Sequence, residues 1–512
     1  MYNNDINISY ERDLTPDFKL NVVAGTSYQN SKTDISSSNG QNLAPSFETV
    51  SGAASTTVKA LYTLDQWDLF GIFGQATFGY KNLAFITGAV RSDRSSKFSS
   101  SEANQVYPKF SASFIPSDLG LWDKDGIGKV VNTAKLRYSW GKSGNMTGIG
   151  TYDRFWQFNS VPFLGQNTIL PNGVLANERV RPEFMTENEG GIDLTFLKNK
   201  LTLGLTAYTQ KITDLVVNRV LAPSSGGTSI INNVGEMQNK GFEVSLGYTP
   251  VQTKDLTWDV NVIYSQNRNK ITKLGSPLVA LSSVTGAPSY LVQGQAASVF
   301  YGTFFARNED GTLFETGQNL PQSQKGVQSA TDPLAYTASP KGADGQFSTN
   351  TTVRKIIGNP NPKWTGSFVS NLTYKRIGFR FLLDAVQGME VFNADRRTRQ
   401  GVGIGDYAEK ELKGELPRGY VYSIYNTEEW RIDDASFVKL REISLSYQLP
   451  NVIKNVRNIN IALSGRNLIS WDKYDGFDPE TNAGGNSDLL RGVDFGNVPI
   501  PRTYQVKISA SF

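Results

Sequence analysis

The 512-residue chain contains no cysteine and no histidine. Those absences exclude disulfides, Cys/His zinc sites, cysteine nucleophiles and every Ser-His-Asp arrangement, so only carboxylates are left for acid/base chemistry. No run of eighteen apolar residues occurs, which excludes a helical membrane span. A β-barrel is not excluded, because its strands cross lipid with alternating apolar and polar residues. Neither sign of charge dominates: 51 Lys plus Arg stand against 47 Asp plus Glu, spread along the chain without a basic arm, so no nucleic-acid partner is indicated. The opening MYNNDINISY has no basic n-region and no apolar h-region. No export signal is read there, and an exported protein that begins this way is processed or incomplete.

What is present is turn and strand chemistry. The 48 Gly, 21 Pro and 11% aromatic residues, with a mean hydropathy of -0.34, favour many short strands joined by turns. The last eleven residues, RTYQVKISASF, show the pattern most cleanly. Tyr504, Val506, Ile508, Ala510 and Phe512 fall on one face, and Thr503, Gln505, Lys507, Ser509 and Ser511 on the other. Such a strand suits lipid on one side and a polar lumen on the other, or the closing strand of a soluble sandwich.

Similar runs occur at 6–10, 18–28, 70–80, 83–91, 109–114, 134–141, 187–197, 201–213, 241–248, 258–264, 365–374, 379–385, 437–449 and 459–469. Polar stretches separate them, including a Ser/Asn/Gly-rich segment at 30–65 and a turn through Pro250. Short connections alternate with long ones down the chain, as the periplasmic turns and extracellular loops of an outer-membrane barrel do. The fold class read from this is an all-β, transmembrane antiparallel β-barrel with about 15 strands in this chain. An odd count leaves an unpaired edge that lipid does not tolerate, so an odd number of further strands is expected ahead of Met1.

Against that frame, several segments resemble one family, the SusC-like (RagA-type) TonB-dependent transporters of Bacteroidota outer membranes. They are KLRYSWGKSGN from Lys135, VGEMQNKGFEVSL from Val234, GNPNPKW from Gly358, IDDASFVKLREISLSYQLP from Ile432, GRNLISWDKYDGFDPE from Gly465, and the terminal PIPRTYQVKISASF. The resemblance implies the C-terminal part of a plugged barrel of about 22 strands, with about seven strands, the plug domain and the TonB box lying outside this chain. It also implies nutrient import of oligosaccharide or peptide, a SusD-like surface lipoprotein as lid, and a TonB complex acting through the plug. Members often carry an acidic calcium-type loop before GNPNPKW. Here KGADGQF offers Asp344 alone, so no metal and no cofactor are expected. The other readings are a plugless barrel serving as scaffold in a surface complex, and a soluble β-rich adhesin or glycan-binding protein.

No enzymatic constellation emerges. Glu187 and Glu189 share a strand face, which suits a lumen-facing charged pair better than glycosidase carboxylates on opposite walls of a cleft. Asn359, Pro360, Asn361 and Pro362 read as turn chemistry. The run from Trp471 to Glu480 reads as a packed loop base or a ligand contact. The expected ligand surface is the set of long-loop aromatics Tyr152, Trp156, Phe158, Tyr301, Phe305, Tyr407, Tyr420, Tyr422, Tyr425 and Trp430, whose flat faces stack on sugars or apolar side chains.

Overall fold

A computed structural model of the chain describes all residues except 120, 121, 123–125, 283–285, 343, 451–456, 486–489 and 512. Phe512, expected on the lipid face, therefore lies outside the described residues. One antiparallel path of fifteen strands accounts for every run read from the sequence. In chain order these are β1 (Tyr2–Thr15), β2 (Phe18–Asn39), β3 (Lys59–Tyr80), β4 (Ala84–Ser95), β5 (Asn104–Phe114), β6 (Val131–Asn145), β7 (Glu183–Phe196) and β8 (Leu201–Val220). They continue as β9 (Ser229–Gln252), β10 (Leu256–Lys273), β11 (Trp364–Tyr374), β12 (Ile377–Gln387), β13 (Phe437–Gln448), β14 (Arg457–Asp472) and β15 (Thr503–Ser511). Each wall strand pairs with its neighbour in sequence. A sixteenth, two-residue strand, Val174–Leu175, lies parallel on the start of β9.

The chain divides into two compact units. In the first, which contains β1 to β5, the register carries one apolar row, Tyr10, Val22, Ala76, Gly88 and Phe110, directly beside a polar row, Glu11, Asn21, Thr77, Thr87 and Ser111. In the second, Trp258, Leu372, Phe379, Leu445, Leu463 and Val506 stand opposite one another on six successive strands. Their next-door residues Asp259, Asn371, Arg380, Ser444, Ser464 and Gln505 form a wholly polar row. The apolar row is largely exposed, with Leu445 at 51%, Leu463 at 55% and Val506 at 66%. A water-soluble sheet would bury such a row; lipid solvates it. Aromatic residues mark the short-turn ends of the strands, Phe18, Tyr80 and Phe114 in the first unit and Tyr248, Trp258, Tyr374 and Tyr447 in the second, as they do at a membrane interface.

Two sequence expectations are corrected. The segment 30–65 is not all loop: β2 runs to Asn39 and β3 begins at Lys59, paired without interruption from Asn30 opposite Asp68 to Asn39 opposite Lys59. About ten residues span the bilayer, so a 22-residue strand projects well beyond it. Outside the lipid both faces meet water, and the register sets Ile35 opposite Thr63, Ser36 opposite Tyr62 and Ser37 opposite Leu61, with no separate apolar face. Nor does Pro250 turn the chain. It sits in β9 at a register shift between Tyr248 and Val251, where a bulge tolerates its missing N–H. The turn follows at Thr253, whose backbone N–H donates to the Leu256 carbonyl at 2.8 Å.

Gly241 is closely approached by a side chain. A Cβ at Gly241 in β9 would overlap the Tyr208 ring, which lies over it on the polar face. Gly241→Val should displace that ring at a cost of about 1–3 kcal/mol. Heat-modifiable mobility should report this as a lowered unfolding temperature, whereas an unchanged temperature would mean the ring moves freely.

Candidate functional site: the folded long loops

In the second unit, three long connections fold into one body. Residues 274–363 supply Ala287, Phe300 and Ile357; residues 388–436 supply Phe392, Ala394 and Ile432; residues 473–502 supply Ala483, Leu490 and Val493. All pack in one core in which Phe300, Phe392 and Val493 are fully buried. A small sheet joins two of these loops, with Glu390–Asn393 antiparallel to Ile432–Asp434 and parallel to Val493–Asp494. Three short helices complete the middle loop, α1 (Ala394–Gly401), α2 (Asp406–Leu412) and α3 (Tyr420–Tyr425). The Asn393 side chain caps α1 by accepting from the Arg396 N–H.

Charge holds this body together. Arg396 donates to both oxygens of Asp433, at 2.6 and 2.7 Å, and to Asp475 at 2.9 Å. Glu428 and Glu429 accept the backbone N–H groups of Thr303 and Phe305 at 2.7 and 2.8 Å, clamping the first loop to the second. Tyr474 donates to Asp494 at 2.5 Å, and burial, together with that carboxylate, pushes the phenol well above its usual range.

The base of the third loop is tied to the wall. Lys439 of β13 donates to Asp478 at 2.5 Å and to Glu480 at 2.7 Å, with the Lys439 and Asp478 side chains only 7% and 8% exposed. Arg441 bridges Glu480 at 2.5 Å and Asp384 of β12 at 3.0 Å. Within the run from Trp471 to Glu480, Tyr474, Asp478 and Pro479 are buried in the loop base, whereas Trp471 and Phe477 are exposed. Glu189 likewise meets Arg137 at 2.6 Å on the wall.

The expected aromatic surface divides. In the first unit Tyr152, Trp156 and Phe158 are exposed, at 42%, 52% and 54%. In the second, Tyr422 is exposed at 75%, whereas Tyr301 and Phe305 are buried and offer no face to a ligand in this conformation. Their burial follows from the core: Tyr301 packs with Val292 and Val299 and donates its hydroxyl to the Pro333 carbonyl at 2.7 Å. Tyr407 stacks on Tyr420 with ring centroids 6.1 Å apart and meets Trp430 edge-on at 5.7 Å. The Arg397 guanidinium lies 4.4 Å over Tyr425.

A concavity was missed by sequence reasoning. At the long-loop ends of β10 to β13 lies a cavity of about 600 Å³ lined by Asn267, Arg268, Asn359, Lys363, Glu390 and Asp434 among others. GNPNPKW forms one side. Within it, Asn361 donates to the Ala297 carbonyl at 2.7 Å and accepts from Asn269 at 2.9 Å, so these two amides hold the loop. Besides GNPNPKW, the polar run QNRNK towards the end of β10, where apolar alternation stops, is a sequence signal of this cavity.

Comparison with known proteins places the chain. Residues 1–468 match the family model described as TonB dependent receptor-like, beta-barrel. TonB-dependent receptor P3 of Formosa agariphila is 28% identical over 100% of this chain and 53% of its own length. TonB-dependent receptor SusC of Bacteroides thetaiotaomicron is 24% identical over 87% of this chain and 44% of its own. The chain therefore spans about half the length of the curated relatives it matches. The RagAB peptide transporter structure superposes with a TM-score of 0.80 at 20% identity, covering 100% of this chain and 55% of that one, which is a likeness of fold. A soluble adhesin is thereby set aside. The two-faced register, the parity of the loops and the family match converge: the chain belongs to the TonB-dependent receptor β-barrel family, as a SusC-like, RagA-type outer-membrane β-barrel.

Proposed function

We propose that this chain forms most of the barrel wall of a nutrient importer that takes up oligosaccharides or peptides. The observation that carries the reading is the paired apolar and polar rows of the wall strands, which give a lipid face and a lumen face. About seven further strands, a plug and its TonB box precede Met1 in this reading, since the edges of β1 and β15 need partners in lipid and large plugged transporters have about 22 strands. A SusD-like lipoprotein lids the barrel from outside, and TonB opens a path by pulling on the plug. In the first unit the exposed aromatics Tyr152, Trp156 and Phe158 offer ligand-contact surface; in the second Tyr422 does, on a loop shaped by Tyr407, Tyr420, Tyr425 and Trp430.

Disrupting the locus should slow uptake of a labelled oligosaccharide or peptide pool. A protonophore should slow the intact strain to the same rate. Uptake unaffected by either treatment would contradict import and favour a scaffold.

A further inference from the structure

Two neighbouring arginines in the loop body of the second unit have no acceptor. Arg431 closes the short helical turn Glu428–Arg431 and is only 3% exposed, yet its Nε and Nη1 are buried with no hydrogen-bond partner. Arg397 of α1 is half-buried, and its Nε is likewise buried and unpartnered. Each guanidinium lies against a ring instead of a carboxylate, Arg431 4.5 Å over Phe392 and Arg397 4.4 Å over Tyr425. Neither takes part in a hydrogen bond or ion pair among the described residues. Arg396, the residue before Arg397, shows what a satisfied guanidinium looks like in this body, since it is paired with both oxygens of Asp433 and with Asp475. The Glu428 carboxylate is already engaged by the Thr303 N–H at 2.7 Å and by Arg354 at 3.5 Å. Burial pushes Arg431 down to about 10, with Glu428 opposing the fall and the charge of Arg397 adding to it, so Arg431 is still a cation at neutral pH.

We infer that Arg397 and Arg431 together bind a tetrahedral inorganic oxyanion of the phosphate or sulfate type. A buried guanidinium carries its desolvation cost whether or not an acceptor is present, and a ring face offsets only part of it. Two like charges close together add repulsion, which one anion between them cancels at both. The free edge of Arg431, Nε with Nη1, is the fork that takes two oxygens of one oxyanion, a match that a halide lacks. Arg431 is the floor of the site and the half-buried Arg397 its open side, and that degree of burial admits a bare ion, not a phosphate carried on a lipid or a nucleotide. Held there, the ion ties α1 to the Glu428–Arg431 turn and fixes the Tyr425 and Phe392 rings behind the two guanidiniums.

The test is equilibrium dialysis of the detergent-purified protein against radiolabelled phosphate, at an ionic strength fixed with chloride. One phosphate should bind per chain and be displaced by sulfate, not by chloride. Arg397→Gln should lose it and, because that side chain is half-buried, should keep wild-type heat-modifiable mobility. Limited proteolysis of residues 388–436 separates an ion site from a purely structural pair of arginines. At ten times its dissociation constant, phosphate should slow cleavage of the wild type about tenfold. Arg431→Met should be cut no faster than the wild type in phosphate-free buffer, since it removes a buried charge that has no partner, and phosphate should not protect it further. No bound phosphate, equal displacement by chloride, phosphate retained by Arg397→Gln, or faster cutting of Arg431→Met without phosphate would overturn the assignment.

Discussion

Val506→Arg should fail to assemble, whereas Gln505→Arg, one residue away, should assemble as the wild type does. Val506 stands in the exposed apolar row opposite Leu463, and Gln505 in the polar row opposite Ser464. An arginine on the lipid face near mid-membrane costs about 2–4 kcal/mol, and one in the lumen costs little. The readout is the heat-modifiable band in membranes from cells expressing each variant. Equal assembly of the two would mean that the faces are wrongly assigned.

Lys439→Met carries the second large effect. The Lys439 ammonium is buried against Asp478 and Glu480, and removing it leaves Asp478 without its cation. Breaking a buried pair from one side costs about 3–5 kcal/mol, because the remaining charge stays desolvated. The anchor of the 473–502 loop should open, giving a lower urea midpoint and a new protease cut within those residues. Adding Asp478→Asn to Lys439→Met should recover part of the loss, since the stranded charge is then gone.

Acid should act on the same anchor. Burial works to raise both the Asp478 and the Glu480 carboxyls. The hydrogen bonds from Lys439 to Asp478 and from Arg441 and Lys439 to Glu480, with backbone donors on Asp478, outweigh it and hold both groups below their ordinary values. A depressed carboxyl contributes stability that is fully present above its unfolded value, near 4, and is lost as pH falls through the lowered folded value. Protease sensitivity of the loop should therefore rise below about pH 4 in the wild type. In Lys439→Met it should already be high at neutral pH. A loop equally resistant in both proteins at neutral pH would contradict this role for the anchor.

The wall was legible because lipid enforces a period of two. In β13 and β15, where one face meets hydrocarbon, Leu445 and Val506 cannot trade places with Ser444 and Gln505, and the alternation survives in the bare sequence. The loops obey no such rule. Phe300, Phe392 and Val493 meet in one core although about a hundred residues separate each from the next, and nothing local marks that meeting. Tyr301 and Phe305 went inside for the same reason, as neighbours of Phe300 in a packed segment, while Tyr422 on α3 stayed out. The β2–β3 ribbon was missed because strands with water on both faces need no apolar period. The helices of the middle loop were missed because none exceeds eight residues and each is held by tertiary contacts, such as the stack of Tyr407 on Tyr420.

The central claim is that one face of this sheet meets lipid. Because the chain has no cysteine, single cysteines at 444, 445, 463, 464, 505 and 506 can each carry a nitroxide in membranes without background. Oxygen, which concentrates in lipid, should relax the labels at 445, 463 and 506 most strongly. A water-soluble nickel reagent should favour 444, 464 and 505. A two-residue alternation in these opposite phases is the predicted result, and equal access of both reagents to both sets of positions would contradict it.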